Sequence, residues 1–477
     1  MGLTVHIDPQ RCVACMACVR VCPVEAVQVR DDGVRISEES CIRCGACVPA
    51  CPHDAIGIRG EPDRVRALLA RGHPILLLAT EAVVHFYPAT QEQVWNACAA
   101  LGFREVVPAL VGDELVAREY LRLARANGRR TWIRSTSPVV VEYCRRKHPE
   151  LLPYLAPVAT PAVAAARYLR ALYKDEPITL VYCGVATPGE TPEVDEAIDA
   201  SLTFAELEGL LLEHGLDPRR QPAYLTRLAG ERRRHLSTPG GLPLPLLEAE
   251  RMSSRRFRKV RGLDLIAALA EAVRRDGDAL GFVDLMPYDG DIDHPAMGPR
   301  QDLFWRRRIV QLAEGNRSPT PVVDESLEVD LSVTHPPASP DGGPSENEIL
   351  AFIDREIGRA PSGDFWDSRG CGYPSCREFA AAVLRGRASL QMCPLHWQKK
   401  YEAAVRDAAF DALTGLYTYR TLRERLREEV GRCHRTGIPF SLVFLDVDNF
   451  KQVNDSYGHT YGNEALRAVA AAIRASV

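Results

Sequence analysis

One cysteine phrase, written twice within the first 52 residues, constrains this chain more than anything else in it. Cys12, Cys15, Cys18 and Cys22 stand in C-x2-C-x2-C-x3-C spacing closed by Pro23, and Cys41, Cys44, Cys47 and Cys51 repeat it 29 residues later, closed by Pro52. Thiolates three residues apart converge on one cube of iron and sulfide, and the following proline turns the chain so that the fourth cysteine reaches the other cube. In that crossed arrangement Cys12, Cys15, Cys18 and Cys51 hold one 4Fe-4S cluster, and Cys22, Cys41, Cys44 and Cys47 hold the other. Zinc sites close with four ligands, usually as two separated CxxC pairs, and have no use for the doubled Cys-Pro ending. Short strands are expected around the cysteines at Val5–Ile7, Val27–Val29, Val34–Ile36 and Ala55–Ile58. So small a segment draws its stability from the metal and is expected to unfold without it.

With 477 residues the chain is too long for one core, and roughly three or four domains are expected. A net charge of −4 and 46% hydrophobic residues fit a soluble protein. The basic clusters Arg232–Arg234, Arg255–Arg261 and Arg306–Arg308 are too short to make a nucleic-acid track in a near-neutral chain. The longest apolar stretch, near Pro74–Tyr87, is broken by Glu81 and His85, so no membrane span is expected and the location is read as cytoplasmic. Eleven of the fifteen cysteines fall into cluster-like spacings, which in a reducing compartment argues for metal ligation over disulfides.

The cysteine repeat resembles a bacterial two-cluster ferredoxin, read as a domain over 1–59. Over 60–315, apolar runs at "PILLLAT", "EVVPAL", "TWIRST", "ITLVYCG" and "GFVDLMP" alternate with helical stretches such as Glu92–Leu101, Glu114–Ala126 and Phe204–Glu213. That alternation predicts an α/β domain with a largely parallel sheet. Its place after a double ferredoxin, and the phrases "HPELLPYLAPVATPAVAAARYLR" and "LGFVDLMPYDGDIDHPAMG", resemble the catalytic domain found in the large subunits of iron-only hydrogenases. That family holds its active-site cluster with cysteines in a TSCCP-like, a PC-x-x-K-like and a C-x3-C-like phrase. Here the first place reads Ser135-Thr136-Ser137-Pro138, the second keeps Cys183 in "YCGVATPGE" without the lysine, and the third reads "MPYDGDIDHP". One cysteine cannot hold the cluster, so the domain is expected to be hydrogenase-like without hydrogen chemistry. Cys98, Cys144 and Cys183 are read as small buried hydrophobes.

Residues 316–345, rich in proline, serine and acid, read as a linker. Ser345 then caps a helix in which Ile349, Ile353 and Ile357 recur on one face. Within 346–395, Cys371, Cys376 and Cys393 fit the last three places of a C-x2-C-x4-C-x16-C motif, resembling the small iron–sulfur domain of reductase and hydrogenase-linked sensory proteins. A third cluster is expected there. The first place is Ser368, which leaves open an oxygen ligand from Ser368 or Asp367, a three-iron cluster, or none. A helix over 396–410, with Trp397, Tyr401, Ala404 and Ala408 spaced 4-3-4, reads as a dimer-forming joint or a plain connector.

Over 411–477, "DALTGLYTYRTL" and "FSLVFLDVDNFKQVNDSYGHTYGNEALRAVA" resemble the opening of a GGDEF diguanylate cyclase domain. "SLVFLDV" reads as a buried strand delivering Asp446 and Asp448 to its end, where carboxylates suit Mg²⁺. The resemblance implies Asp446 as metal ligand, backbone at Asn449, Phe450 and Lys451 approaching GTP phosphates, and Asn454 and Asn463 at guanine. The family usually has aspartate at the last place, and a carboxamide offers one acceptor where a carboxylate offers two. The GGDEF signature itself would follow Val477, so the expectation is a truncated frame whose last segment neither folds stably nor cyclises GTP. The fold class is thus multidomain α/β: ferredoxin, hydrogenase-like domain, small helical iron–sulfur domain and truncated GGDEF fragment. The function expected is an iron–sulfur redox or gas sensor controlling the cyclase, homodimeric at full length and served by a redox partner protein. The alternatives are an electron-transfer protein and a hydrogenase-related oxidoreductase component.

Overall fold

The computed structural model describes residues 3–30, 32–126, 131–185, 197–224, 257–277, 280–288, 291–297, 303–314, 323, 327–338, 343–360 and 362–476. Arg232–Arg234, the start of the Arg255–Arg261 cluster, the "ATPGE" of the second hydrogenase-like phrase and much of the expected linker lie outside them. The chain divides into two compact units, Met1–Pro344 with Gly372–Pro374 and Ala381–Ser389, and Ser345–Cys371 with Ser375–Ala380 and Leu390–Val477.

The first unit opens with two antiparallel ribbons. β1 (Thr4–Ile7) pairs with β4 (Ile56–Arg59), and β2 (Val27–Arg30) pairs with β3 (Gly33–Ile36), each within a residue of the expected position. The backbone of Ala14, Met16, Arg43 and Gly45 turns through positive φ, which curls both cysteine loops tightly before the short helices Ala17–Val21 and Cys47–Ala50.

β4 runs straight into the next domain. The amide of Gly60 donates to both carboxylate oxygens of Glu206 at 2.9 Å, and that of Glu61 donates to the Ser201 carbonyl at 2.8 Å. A side chain at Gly60 has no room: its Cβ would stand 2.5 Å from the Ser201 carbonyl oxygen and 2.9 Å from the Leu202 Cα.

Among the described residues seven strands follow: β5 (Ile75–Leu78), β6 (Glu105–Pro108), β7 (Trp132–Ile133), β8 (Leu180–Cys183), β9 (Ala200–Leu202), β10 (Phe257–Arg261) and β11 (Phe282–Met286). The largely parallel sheet expected from the alternation is in fact two parallel sheets, in the orders β6-β5-β8-β9 and β10-β11-β7. All four residues of β5 are buried, as befits a parallel strand covered on both faces. Each such side chain contributes roughly 1.5–3 kcal/mol through burial. Helices pack around the first sheet. The helix Gln91–Leu101 starts in a capping box, with Thr90 and Gln93 satisfying each other's amides, and stops at Gly102 with φ 119°. Thr203 and Glu206 cap Phe204–Glu213 in the same way.

The expected linker is not free over residues 327–338. Leu331 is buried, its carbonyl accepts from Ala159 at 2.9 Å, Ser332 bridges Val158, and Arg145 donates to the Pro336 carbonyl at 2.7 Å. Proline and serine lowered the expected order of this stretch, but the apolar residue among them pins it to the domain.

In the second unit Ser345 and Glu348 form a capping box, and Ile353 and Ile357 are buried as the spacing predicted. Helices Pro394–Ala409, Tyr419–Thr436 and Phe450–Ser476 follow, the last broken at Gly458. The buried strand expected in "SLVFLDV" does not form. Val443, Phe444 and Leu445 are 74%, 89% and 70% exposed, because no strand stands beside them among the described residues. Replacing Gly60 by alanine is expected to cost about 1–3 kcal/mol through overpacking at the β4 junction, read as a lower urea midpoint at an unchanged slope.

Candidate metal centres

Two loops and two short helices gather the eight amino-terminal cysteines. A cavity of about 340 Å³, counting all space between atoms, is lined by Cys12, Cys15, Cys18 and Cys51 together with apolar residues such as Ile7, Val13 and Ile56. These four thiols come from both halves of the repeat. The fourth cysteine of each phrase is held alike: the Ala26 amide donates to Cys22 Sγ at 3.2 Å and the Ala55 amide to Cys51 Sγ at 3.3 Å. The Arg43 amide donates to Cys41 Sγ at 3.4 Å. Burial pushes the Cys18 thiol up to about 11 and Cys44 up to about 12. Cys47 rises further, through burial and then through the nearby Cys44, Cys41 and Cys22. Thiols so crowded resist ionisation unless a cation joins them, which fits the donor set to iron. Among the described residues no three His, Cys, Asp or Glu close around a single ion. An iron–sulfide cube spreads its four thiolates over separate corners, wider than the ligands of one ion.

The second cysteine loop is built into the α/β domain. Cys44, Ile42, Val24 and Ala26 share an apolar cluster with Val139, at the start of the helix Pro138–Lys147. Tyr288, just after β11, donates its hydroxyl to the Cys44 carbonyl. His294 is 2% exposed; burial lowers it to about 4, so its ring is neutral, and it hydrogen-bonds the Arg43 backbone. A Cβ on Gly45 would meet Pro295 at 3.2 Å and His294 at 3.4 Å, so the two segments touch backbone to ring.

The first place where the hydrogenase-like resemblance seeks cluster ligands is occupied by a bonded serine. Ser135 Oγ donates to the Ala156 carbonyl at 2.7 Å, the Tyr120 hydroxyl lies 3.0 Å from it, and the Ser135 amide donates to the Tyr120 oxygen at 2.8 Å. Beside it Arg134 donates to Asp284 at 2.8 Å and to Thr136, while Arg261 donates to the other Asp284 oxygen at 2.7 Å. This ion network, which sequence reasoning missed, ties β11 to the start of "STSP" and to β10. Burial pushes the Asp284 carboxyl up, but the two guanidiniums outweigh it and hold the carboxyl below its ordinary value. Cys98, Cys144 and Cys183 are 0% exposed, and burial raises all three thiols.

In the second unit Cys371, Cys376 and Cys393 are 7%, 7% and 3% exposed. Asp367 accepts from the Cys376 amide at 2.6 Å, while Ser368 Oγ accepts from Gly370 at 3.5 Å within its own loop. Of the two oxygen candidates, the structure brings Asp367 to a cysteine. Further on, Gly462 packs against the Asn454 side-chain amide within a helix broken at Gly458. Asn449 takes φ 58° where the helix bearing Phe450 and Lys451 begins. Asp446 and Asp448 are exposed on unpaired backbone, with no third carboxylate completing a metal group among the described residues, so a magnesium site is not assembled.

Four family models match the chain in order. They are a 4Fe-4S dicluster domain over 4–52, the C-terminal domain of the iron-only hydrogenase large subunit over 74–283, a putative Fe-S cluster over 369–395 and the diguanylate cyclase GGDEF domain over 408–477. Among curated proteins, the chain is similar to diguanylate cyclase DgcP of Pseudomonas aeruginosa, 45% identical over 93 residues, 20% of this chain and 14% of that one. DosC of Escherichia coli is 39% identical over 71 residues, 15% of each chain, and DgcS of Shewanella oneidensis is 39% identical over 88 residues, 18% of this chain and 30% of that one. The chain therefore spans from 14% to 30% of the length of these relatives. A variant of the [FeFe]-hydrogenase HydA1 from Chlamydomonas reinhardtii overlaps 62% of this chain and 95% of its own at 15% identity and a TM-score of 0.42. The chain is thus a multidomain 4Fe-4S protein. Its domains are a dicluster ferredoxin, an iron-only-hydrogenase-like α/β domain, an Fe-S domain and GGDEF sequence. No described helix is long and apolar enough to cross a membrane.

Asp284→Asn is expected to destabilise the protein by about 3–5 kcal/mol, since it leaves the buried Arg134 guanidinium and the half-buried Arg261 guanidinium short of a counter-charge. The carboxylate's contribution, from a depressed folded-state value, is present above about pH 4 and lost as the pH falls through that value, so native and variant melting points should converge in acid.

Proposed function

We propose that this chain makes a diguanylate cyclase responsive to the redox state of its iron–sulfur clusters, or to a small gas acting on them. The observation that carries the reading is the filled site around Ser135, Arg134 and Asp284. Ser135, Arg134 and Asp284 there bond other groups of the protein in place of cluster ligands, so in this reading electrons arriving from the ferredoxin serve a signal and not hydrogen conversion. The output left in the chain is the GGDEF sequence, whose relatives are cyclases.

In this reading Cys12, Cys15, Cys18 and Cys51 hold one 4Fe-4S cluster and Cys22, Cys41, Cys44 and Cys47 the other. Cys371, Cys376 and Cys393 hold a third, with Asp367 nearest the fourth place. The exposed Cys15 is the point nearest solvent for exchange with a redox partner protein. GTP is the substrate of the cyclase domain and magnesium its metal. Asn454 and Asn463 face guanine, Asn449 to Lys451 lie along the phosphates, and Asp446 is a metal ligand in the assembled domain. Cyclisation joins two nucleotides, so a homodimer is required, and exposed Trp397 and Tyr401 on the helix Pro394–Ala409 are available for pairing.

The test is cyclic di-GMP production by a chain that reads through the cyclase signature, with clusters oxidised and then reduced. A different rate in the two states is expected. Equal rates would overturn the sensor, and no product in either state would favour the electron-transfer alternative. Separately, Cys51→Ser should remove or convert the cluster shared with Cys12 while leaving the other two intact, so that iron falls by about a third at most. Loss of the Cys41 cluster instead would contradict the crossed ligation.

A further inference from the structure

We propose that Tyr288 and His294 are positioning residues for the cluster of Cys22, Cys41, Cys44 and Cys47, and that their grip on the Arg43–Cys47 loop sets its reduction potential. Both follow β11 in the α/β domain, among the described residues 288 and 291–297, and neither is needed for ligation. Tyr288 donates to the carbonyl of Cys44, and His294, buried, bonds the backbone of Arg43 one residue earlier. The two rings also pack edge to face, with centroids 5.5 Å apart. Gly45, at φ 71°, lets Pro295 and His294 approach to van der Waals contact, so the loop cannot shift without moving the segment that holds it.

The physical consequence follows from the planarity of the peptide. Its C=O and N–H point opposite ways, so fixing the Cys44 carbonyl toward Tyr288 fixes the direction of the Gly45 N–H, in a loop whose next amide, that of Ala46, bonds the Cys44 thiol. A dipole with its positive end toward the cluster favours the state carrying the extra electron, and such outer groups are known levers on cluster potential. With the phenol hydroxyl gone the peptide can turn, and reduction becomes harder. The same contact works in reverse: a change of charge on the cluster alters the pull on Tyr288 and hence on β11, which also carries the Asp284 network.

This inference rests on the reading that these cysteines carry clusters, and the two fail separately. Iron and sulfide content of the native full-length chain tests the reading; potentiometry of the loaded chain, followed by electron paramagnetic resonance, tests the inference. In Tyr288→Phe, which keeps the ring, one of the two ferredoxin midpoints should move down while the other stays. Roughly a tenfold fall in the reduced-to-oxidised ratio at fixed potential is expected, ~59 mV for a one-electron couple. His294→Gln should shift the same midpoint in the same direction by less. Unchanged midpoints in both variants would overturn the proposal. So would loss of iron from the second site in Tyr288→Phe with an unshifted His294→Gln, which would make Tyr288 structural only.

Discussion

Thiol groups packed against thiol groups, away from water, are tolerable only if a cation brings them together, and the amino-terminal part of the first unit is arranged around that constraint. Cys18, Cys44 and Cys47 are pushed toward the neutral form by burial before any neighbour is counted. The loops that carry them are too short to have a core of their own. They turn through positive φ at Ala14, Met16, Arg43 and Gly45 and close on two-stranded ribbons. Such ribbons are marginal alone. Metal and the neighbouring domain together therefore supply what the local sequence cannot.

The neighbouring domain does so at two seams. At Gly60 the chain passes from β4 into the α/β fold under direct backbone bonds to Glu206 and Ser201. At Cys44 the second cysteine loop lies under Tyr288 and His294 and against Val139. An electron on the second cluster is thus an electron beside the elements that, in a hydrogen-converting relative, would bear the active-site ligands. Among the described residues those elements carry Ser135, Arg134 and Asp284, joined to their neighbours by hydrogen bonds and ion pairs.

Much of this was legible in the sequence because its determinants are local. Ser345 marks a helix start, and apolar runs mark β5, β8 and β11. What could not be read was pairing across the chain. The alternation of runs does not say that β7 joins β10 and β11 while β8 joins β5, and so it suggested one sheet where there are two. β10 was missed because "FRKVR" is a charged edge strand with half the usual apolar signal. The Arg134–Asp284–Arg261 network joins positions up to 150 residues apart and leaves no local pattern. "SLVFLDV" shows the opposite error: strong strand propensity yields no strand where nothing stands beside it to pair with.

The claim on which the rest turns is that the redox state of the second cluster is felt by the α/β domain. Hydrogen–deuterium exchange on the loaded full-length chain, oxidised against reduced, measures this at both faces of the seam. Protection should change between the two states over 41–47 and, together with it, over 282–297. A change confined to the cysteine loop, with 282–297 exchanging identically in both states, would contradict it.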